Sequence, residues 1–171
     1  VGKRLEPNGL PDVVAGDDHR GLERAEVGGG QVVHGPSRRV VRARPANRIV
    51  GGGIGAVVTM VAGSSRWYEG GFVTYSNAAK QALLGVSPET LLRHGAVSEA
   101  TVLEMVDGTL RALRSDIAVA VSGVAGPTGG TLTKPVGMVC IGWGLRDGSR
   151  EARTYRFAGD RDAVRRKTVI E

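Results

Sequence analysis

Gly71-Phe72-Val73-Thr74-Tyr75-Ser76-Asn77-Ala78-Ala79-Lys80 changes character halfway along. Phe72 to Tyr75 are β-formers, whereas Ala78 to Leu84 propagate a helix, and Ser76 or Asn77 can cap its exposed N–H groups. The stretch predicts a strand end running into a helix start, with hydroxyls, an amide and Lys80 in the first turn. Ligands of α/β proteins gather at such junctions. A capped surface helix with a solvated lysine fits the same residues.

Downstream, Gly85 is placed to close that helix, and Ser87-Pro88 opens a short one. Ser98 caps a longer helix whose Val102, Leu103, Val106, Leu110 and Leu113 form one apolar stripe. Asp116 to Ser122 is a nearly continuous apolar strand, as in a sheet covered on both faces. Pro135 to Gly144 reads as a second strand, Asp147-Gly148 as a hairpin turn and Glu151 to Phe157 as the partner. Asp160 caps a last helix. The pattern predicts an α/β domain, a three-layer α/β/α sandwich with a mixed sheet.

Two further clusters carry chemistry. The loop Gly123 to Thr131 ends the apolar strand with four glycines, two threonines and a proline, so its backbone N–H groups can hold phosphate or an oxyanion. A long turn is the alternative. No Gly-Lys-Ser/Thr follows, which excludes a Walker loop. Arg161 and Arg165 share a face of the last helix and can clamp a phosphate, or form a solvated basic face. Upstream, Gly51 to Ala56 fits G-x-G-x-x-A, but it lacks a convincing strand before it and a well-placed acid after it. It reads as a glycine-rich entry to an apolar, buried helix of Val57, Val58, Met60 and Val61.

The 171 residues suit one domain, with a net charge of +6. That charge favours an anionic ligand, but the basic residues are scattered and only seven residues are aromatic. Nucleic-acid binding is therefore not expected. Cys140 is the sole cysteine and lies in the apolar run Met138 to Ile141, as a core residue would. Neither a membrane-length apolar run nor a signal-peptide pattern is present, so a cytoplasmic protein is expected.

Residues 1–50 read differently. They hold eight Gly, nine Lys/Arg and three Leu with no aromatic, Met or Cys, so they bury too little apolar surface to offset ordering. The sequence divides at that point: an atypical segment over 1–50, expected to be disordered or out of frame, and an orderly domain over 51–171.

Several strings then occur in a recognisable order: Ala62-Gly63-Ser64-Ser65, Gly71 to Asn77 with Lys80, His94-Gly95-Ala96-Val97-Ser98, Ser122 to Pro127, Lys134-Pro135-Val136-Gly137 and Gly159 to Arg166. Together they resemble the CinA C-terminal domain over about residues 51–171. The resemblance implies nicotinamide-nucleotide amidohydrolysis: nicotinamide mononucleotide, or a similar small nucleotide, gives the nicotinic acid nucleotide and ammonia. It implies a Ser–Lys mechanism with no metal or organic cofactor, and a homo-oligomer. Lys80 matches the family's lysine and would act as base. Tyr75, Ser76 and Asn77 would line the site, Gly123, Gly126 and Thr128 would belong to the donor loop, and Arg161 with Arg165 would take the ribose phosphate.

One departure is sharp. The family carries Glu-Ser-Cys-Thr before the glycine pair that matches Gly51-Gly52, and its serine is the nucleophile. Here the positions read Asn47-Arg48-Ile49-Val50, and a guanidinium stays protonated and cannot attack. The family's upstream amphipathic helix and core strand are not legible either, and the last helix is shorter than the family's. The expectation is a domain with its N-terminal helix and strand missing or degraded, its catalysis impaired, and residues 1 to about 50 drawn from another reading frame. The alternative is a non-catalytic nucleotide-binding or oligomerisation module.

Overall fold

The computed structural model describes residues 45–47, as backbone, and 52–171. The readings made for residues 1–44 and 48–51, Arg48 among them, lie outside the described residues. Four strands form one mixed sheet in the order β1-β2-β3-β4: β1 (Pro45–Asn47), β2 (Ile117–Gly123), β3 (Met138–Leu145) and β4 (Arg150–Arg156). β1 runs parallel to β2, pairing Ala46 with Ala120, and the other two pairings are antiparallel. Three residues of strand therefore stand in a region where the sequence showed none.

The helices are α1 (Gly53–Thr59), α2 (Asn77–Leu84), α3 (Pro88–His94), α4 (Glu99–Leu113) and α5 (Arg161–Ile170). Four begin at the residue that the sequence nominates as cap. Ser76, Ser87, Ser98 and Asp160 each accept a backbone N–H from the first turn of the helix they precede. Pro88 occupies the first turn of α3, and Gly85 ends α2 in the left-handed conformation.

Alternation along β2 sends side chains to two separate cores. Ala118 and Ala120 face α4, joining Val102, Met105, Val106, Leu110, Leu84 and Cys140. Val119 and Val121 face the other way, toward Val139, Ile141, Tyr155 and Val164 of α5. The domain thus has three layers: α2, α3 and α4 on one face, α1 and α5 on the other. The α4 face of the sheet is built from small residues, since Ala118 opposes Gly144 and Ala120 opposes Gly142. A Cβ on Gly142 would stand 3.0 Å from Val102 Cγ2, and one on Gly144 2.8 Å from Val106 Cγ1. The absent side chains are what let α4 lie this close.

Two local expectations fail. Phe72 to Tyr75 joins no sheet, making only an isolated bridge at Phe72. Strand propensity alone does not supply a neighbour to pair with, and the carbonyl of Thr74 is used by a side chain instead. Helix α1 is present but contains no buried residue, with Val57 at 49% and Met60 at 82% exposure. It leans on α5 through Ile54, so its apolar residues do not enter a core as their composition suggested.

Candidate active site

Lys80 has no accessible surface. It sits in the first half of α2, and its Nζ donates to the carbonyl oxygen of Thr74 at 2.6 Å. The Thr74 side chain is equally buried, and its hydroxyl has no hydrogen-bond partner among the described residues. Ser76 spends its Oγ on the amide of Ala79 at 3.0 Å, which fixes the helix start from which Lys80 points inward. Ser76 and Asn77 are exposed.

A cleft of about 490 Å³ opens beside this junction. Tyr75, Gly123, Gly126, Thr128 and Arg161 line it, so five of the nine residues singled out from the sequence share one cleft. Lys80, Ser76, Asn77 and Arg165 do not line the cleft. Arg165 faces a separate groove of about 480 Å³ between α1 and α5, and pairs with Asp162 at 3.6 Å. The two arginines that share a helix face in sequence thus serve different cavities.

The donor loop is arranged around Gly126, which has φ 82° and precedes a cis peptide bond to Pro127. Gly126 gives its carbonyl oxygen to Arg161 Nη1 at 3.0 Å, tying the start of α5 to the loop. A Cβ on Gly126 would meet Val136 Cγ1 at 2.6 Å. The amides of Thr128 and Gly129 donate to no protein acceptor among the described residues and stay open to an anion.

Lys134 and the corner Gly95 to Val97 also line the cleft, and no spacing in the sequence marks them as site residues. Lys134 Nζ donates to the carbonyl oxygen of His94 at the end of α3, and Gly95 leaves room for it, since a Cβ there would lie 2.6 Å from Nζ. Both strings, His94 to Ser98 and Lys134 to Gly137, were visible as ordered motifs, but nothing in their spacing marks them as one site. Neither Lys134 nor Arg161 has a carboxylate within ion-pair distance among the described residues. Cys140 lies beneath the α4 face, its Sγ 3.5 Å from Thr154 Oγ1, and burial pushes its thiol above the ordinary value. It is a core residue, as its apolar neighbours indicated.

The family model described as the CinA C-terminal domain matches residues 38–171. The chain belongs to the CinA C-terminal domain family. The match to the family starts upstream of Gly51 and takes in β1. Among relatives, the nicotinamide-nucleotide amidohydrolase PncC of Escherichia coli K12 is 52% identical over 124 residues, covering 72% of this chain and 75% of that protein. The protein of the same name from Pseudomonas putida is 55% identical over 127 residues, 73% of this chain and 78% of its own. The crystal structure of the competence/damage inducible protein CihA from Agrobacterium tumefaciens superposes with a TM-score of 0.74 at 42% identity, over 76% of this chain and 79% of that one. Among the described residues no helix is long and apolar enough to cross a membrane, and no cluster of His, Cys, Asp and Glu could hold a metal ion.

Proposed function

We propose that residues 51–171 form a nicotinamide-nucleotide amidohydrolase domain, acting on nicotinamide mononucleotide to give nicotinic acid mononucleotide and ammonia. The observation that carries this reading is Lys80, a lysine with no accessible surface whose Nζ is fixed on Thr74 O at the helix start. The names borne by its relatives point to the same substrate class. In a Ser–Lys scheme the lysine amine takes the serine hydroxyl proton as Oγ adds to the carboxamide carbon, then passes it to the departing ammonia. Thr128 and Gly129 offer amides to the developing oxyanion, and Arg161 suits the substrate phosphate.

Asn47-Arg48-Ile49-Val50 stands where the family carries its nucleophile, so the chain as it is releases no ammonia. The test replaces these four with Glu, Ser, Cys and Thr and measures ammonia from nicotinamide mononucleotide. Activity should appear in the replaced chain and vanish again on adding Lys80→Ala. Steady turnover by the unaltered chain would overturn the impairment. The same four residues favour a second reading, a binding or oligomerisation module without turnover. A thermal shift on the nucleotide, with no ammonia from the replaced chain, would select it.

Residues 1 to about 50 come, in this reading, from another frame of the gene, and the family match from residue 38 counts against that over its last stretch. Shifting the coding DNA by one base should recover a Glu-Ser-Cys-Thr-like string before Gly51, and failure to find one refutes the idea. A cytoplasmic homo-oligomer is the setting proposed, checked by light scattering on the purified chain and by cell fractionation.

A further inference from the structure

We infer that Lys134, together with Arg161, forms the phosphate end of the cleft and so sets which way round a mononucleotide lies. The inference rests on reading the cleft as a nucleotide site. Lys134 and Arg161 line the same cleft, and each is anchored by a backbone carbonyl instead of a carboxylate: His94 O for Lys134 and Gly126 O for Arg161. A carbonyl anchor fixes the direction of a cationic head without neutralising its charge. An ammonium has three donors, and His94 O takes one, leaving two for a ligand. Arg165, by contrast, has Asp162 beside it and faces the α1 groove.

Of the groups in nicotinamide mononucleotide only the phosphate is anionic, while the pyridinium ring is cationic. Two cations in one cleft, neither with a carboxylate in ion-pair range among the described residues, attract the first and repel the second. The phosphate therefore lies against Lys134 and Arg161, and the ring and its carboxamide lie away from them. Discrimination between a mononucleotide and its dephosphorylated nucleoside follows directly, because the nucleoside leaves both cations unpaired.

Calorimetric titration of the full chain with nicotinamide mononucleotide, nicotinamide riboside and ribose 5-phosphate tests this. Lys134→Gln should weaken both phosphorylated ligands by about tenfold or more, as losing a charge-assisted hydrogen bond requires. It should leave riboside affinity within about twofold, Lys134→Arg should recover most of the loss, and Arg165→Gln should change nothing. In case Lys134→Gln does not fold, inorganic phosphate is titrated against the unaltered chain and should displace ribose 5-phosphate but not the riboside. The inference is overturned if the unaltered chain binds neither phosphorylated ligand, if Lys134→Gln binds them unchanged or loses the riboside equally, or if phosphate does not compete. Lys134-dependent binding of ribose 5-phosphate without ammonia release from the motif-replaced chain sinks the amidohydrolase reading alone. Ammonia release that is indifferent to Lys134 sinks this inference alone.

Discussion

Lys80 Nζ reaches back six residues to the carbonyl oxygen of Thr74, 2.6 Å away, closing the segment before α2 onto the helix that follows it. The contact does structural work as well as placing an amine. Lys80→Ala removes a fully buried side chain and strands a carbonyl, so we expect it to cost about 2–5 kcal/mol. For a domain of this size each kcal/mol lowers Tm by roughly 2–4 °C. Lys80→Met, which keeps most of the volume, should cost less, and thermal melts of the two variants compare them directly.

Gly108 gives a prediction whose sign opposes intuition. In a helix interior Ala is better than Gly by about 1 kcal/mol. Yet a Cβ at Gly108 would collide with the backbone carbonyl of Leu84, because α4 and α2 cross there with nothing between them. Gly108→Ala should therefore destabilise, by about 1–3 kcal/mol, and urea titration would show the midpoint moving down. An upward move would mean that α2 and α4 leave room for a methyl group at their crossing.

The start of α4 holds the corner of the cleft. Ser98 Oγ accepts from Thr101 N at 3.1 Å, and Thr101 Oγ1 donates to Gly95 O at 2.8 Å. Ser98→Ala should cost about 1 kcal/mol. Since both hydroxyls serve one network, Ser98→Ala with Thr101→Val should cost less than the sum of the singles. A double-mutant cycle by chemical denaturation measures the difference.

Cys140 predicts a pH dependence. Burial raises its thiol above the ordinary value of about 8.5, so the folded chain holds the proton to higher pH than the unfolded one does. Its contribution is complete below the unfolded value and is lost as pH rises from there through the folded value. Stability should thus fall more steeply above about pH 8.5 in the native chain than in Cys140→Ala. Urea midpoints at neutral and alkaline pH give the two slopes. The same burial makes the thiol slow to react with an alkylating reagent until the chain unfolds.

Much of the fold was legible because it is written locally. Ser76, Ser87, Ser98 and Asp160 announce their helices through a single short-range hydrogen bond each, and the continuous apolar run of β2 announces a covered sheet. What escaped depends on partners far away in sequence. Phe72 to Tyr75 has strand composition but no strand beside it, and β1 is three residues long and is defined only by pairing with β2. The site divides the same way. Gly123, Gly126 and Thr128 sit in a loop whose composition marks it, whereas Lys134 enters the cleft through a carbonyl 40 residues earlier, which no spacing rule encodes. Arg161 and Arg165 were paired by helical periodicity, and the periodicity is right. The helix lies with its axis between two cavities, so neighbours on one face point into different ones.

Helix α1 contains no buried residue, whereas α4 contributes seven. Resistance to local opening follows such burial, so the two helices should differ widely in amide hydrogen exchange. Amides of α4 should exchange only when the whole domain opens, and those of α1 within the earliest time points. Residues 52–59 therefore behave as a separately melting unit docked on α5, and gains in core stability, however large, leave their protection unchanged. A substitution at the α1–α5 contact, such as at Ile54 or Val169, should alter that protection without moving the global denaturation midpoint.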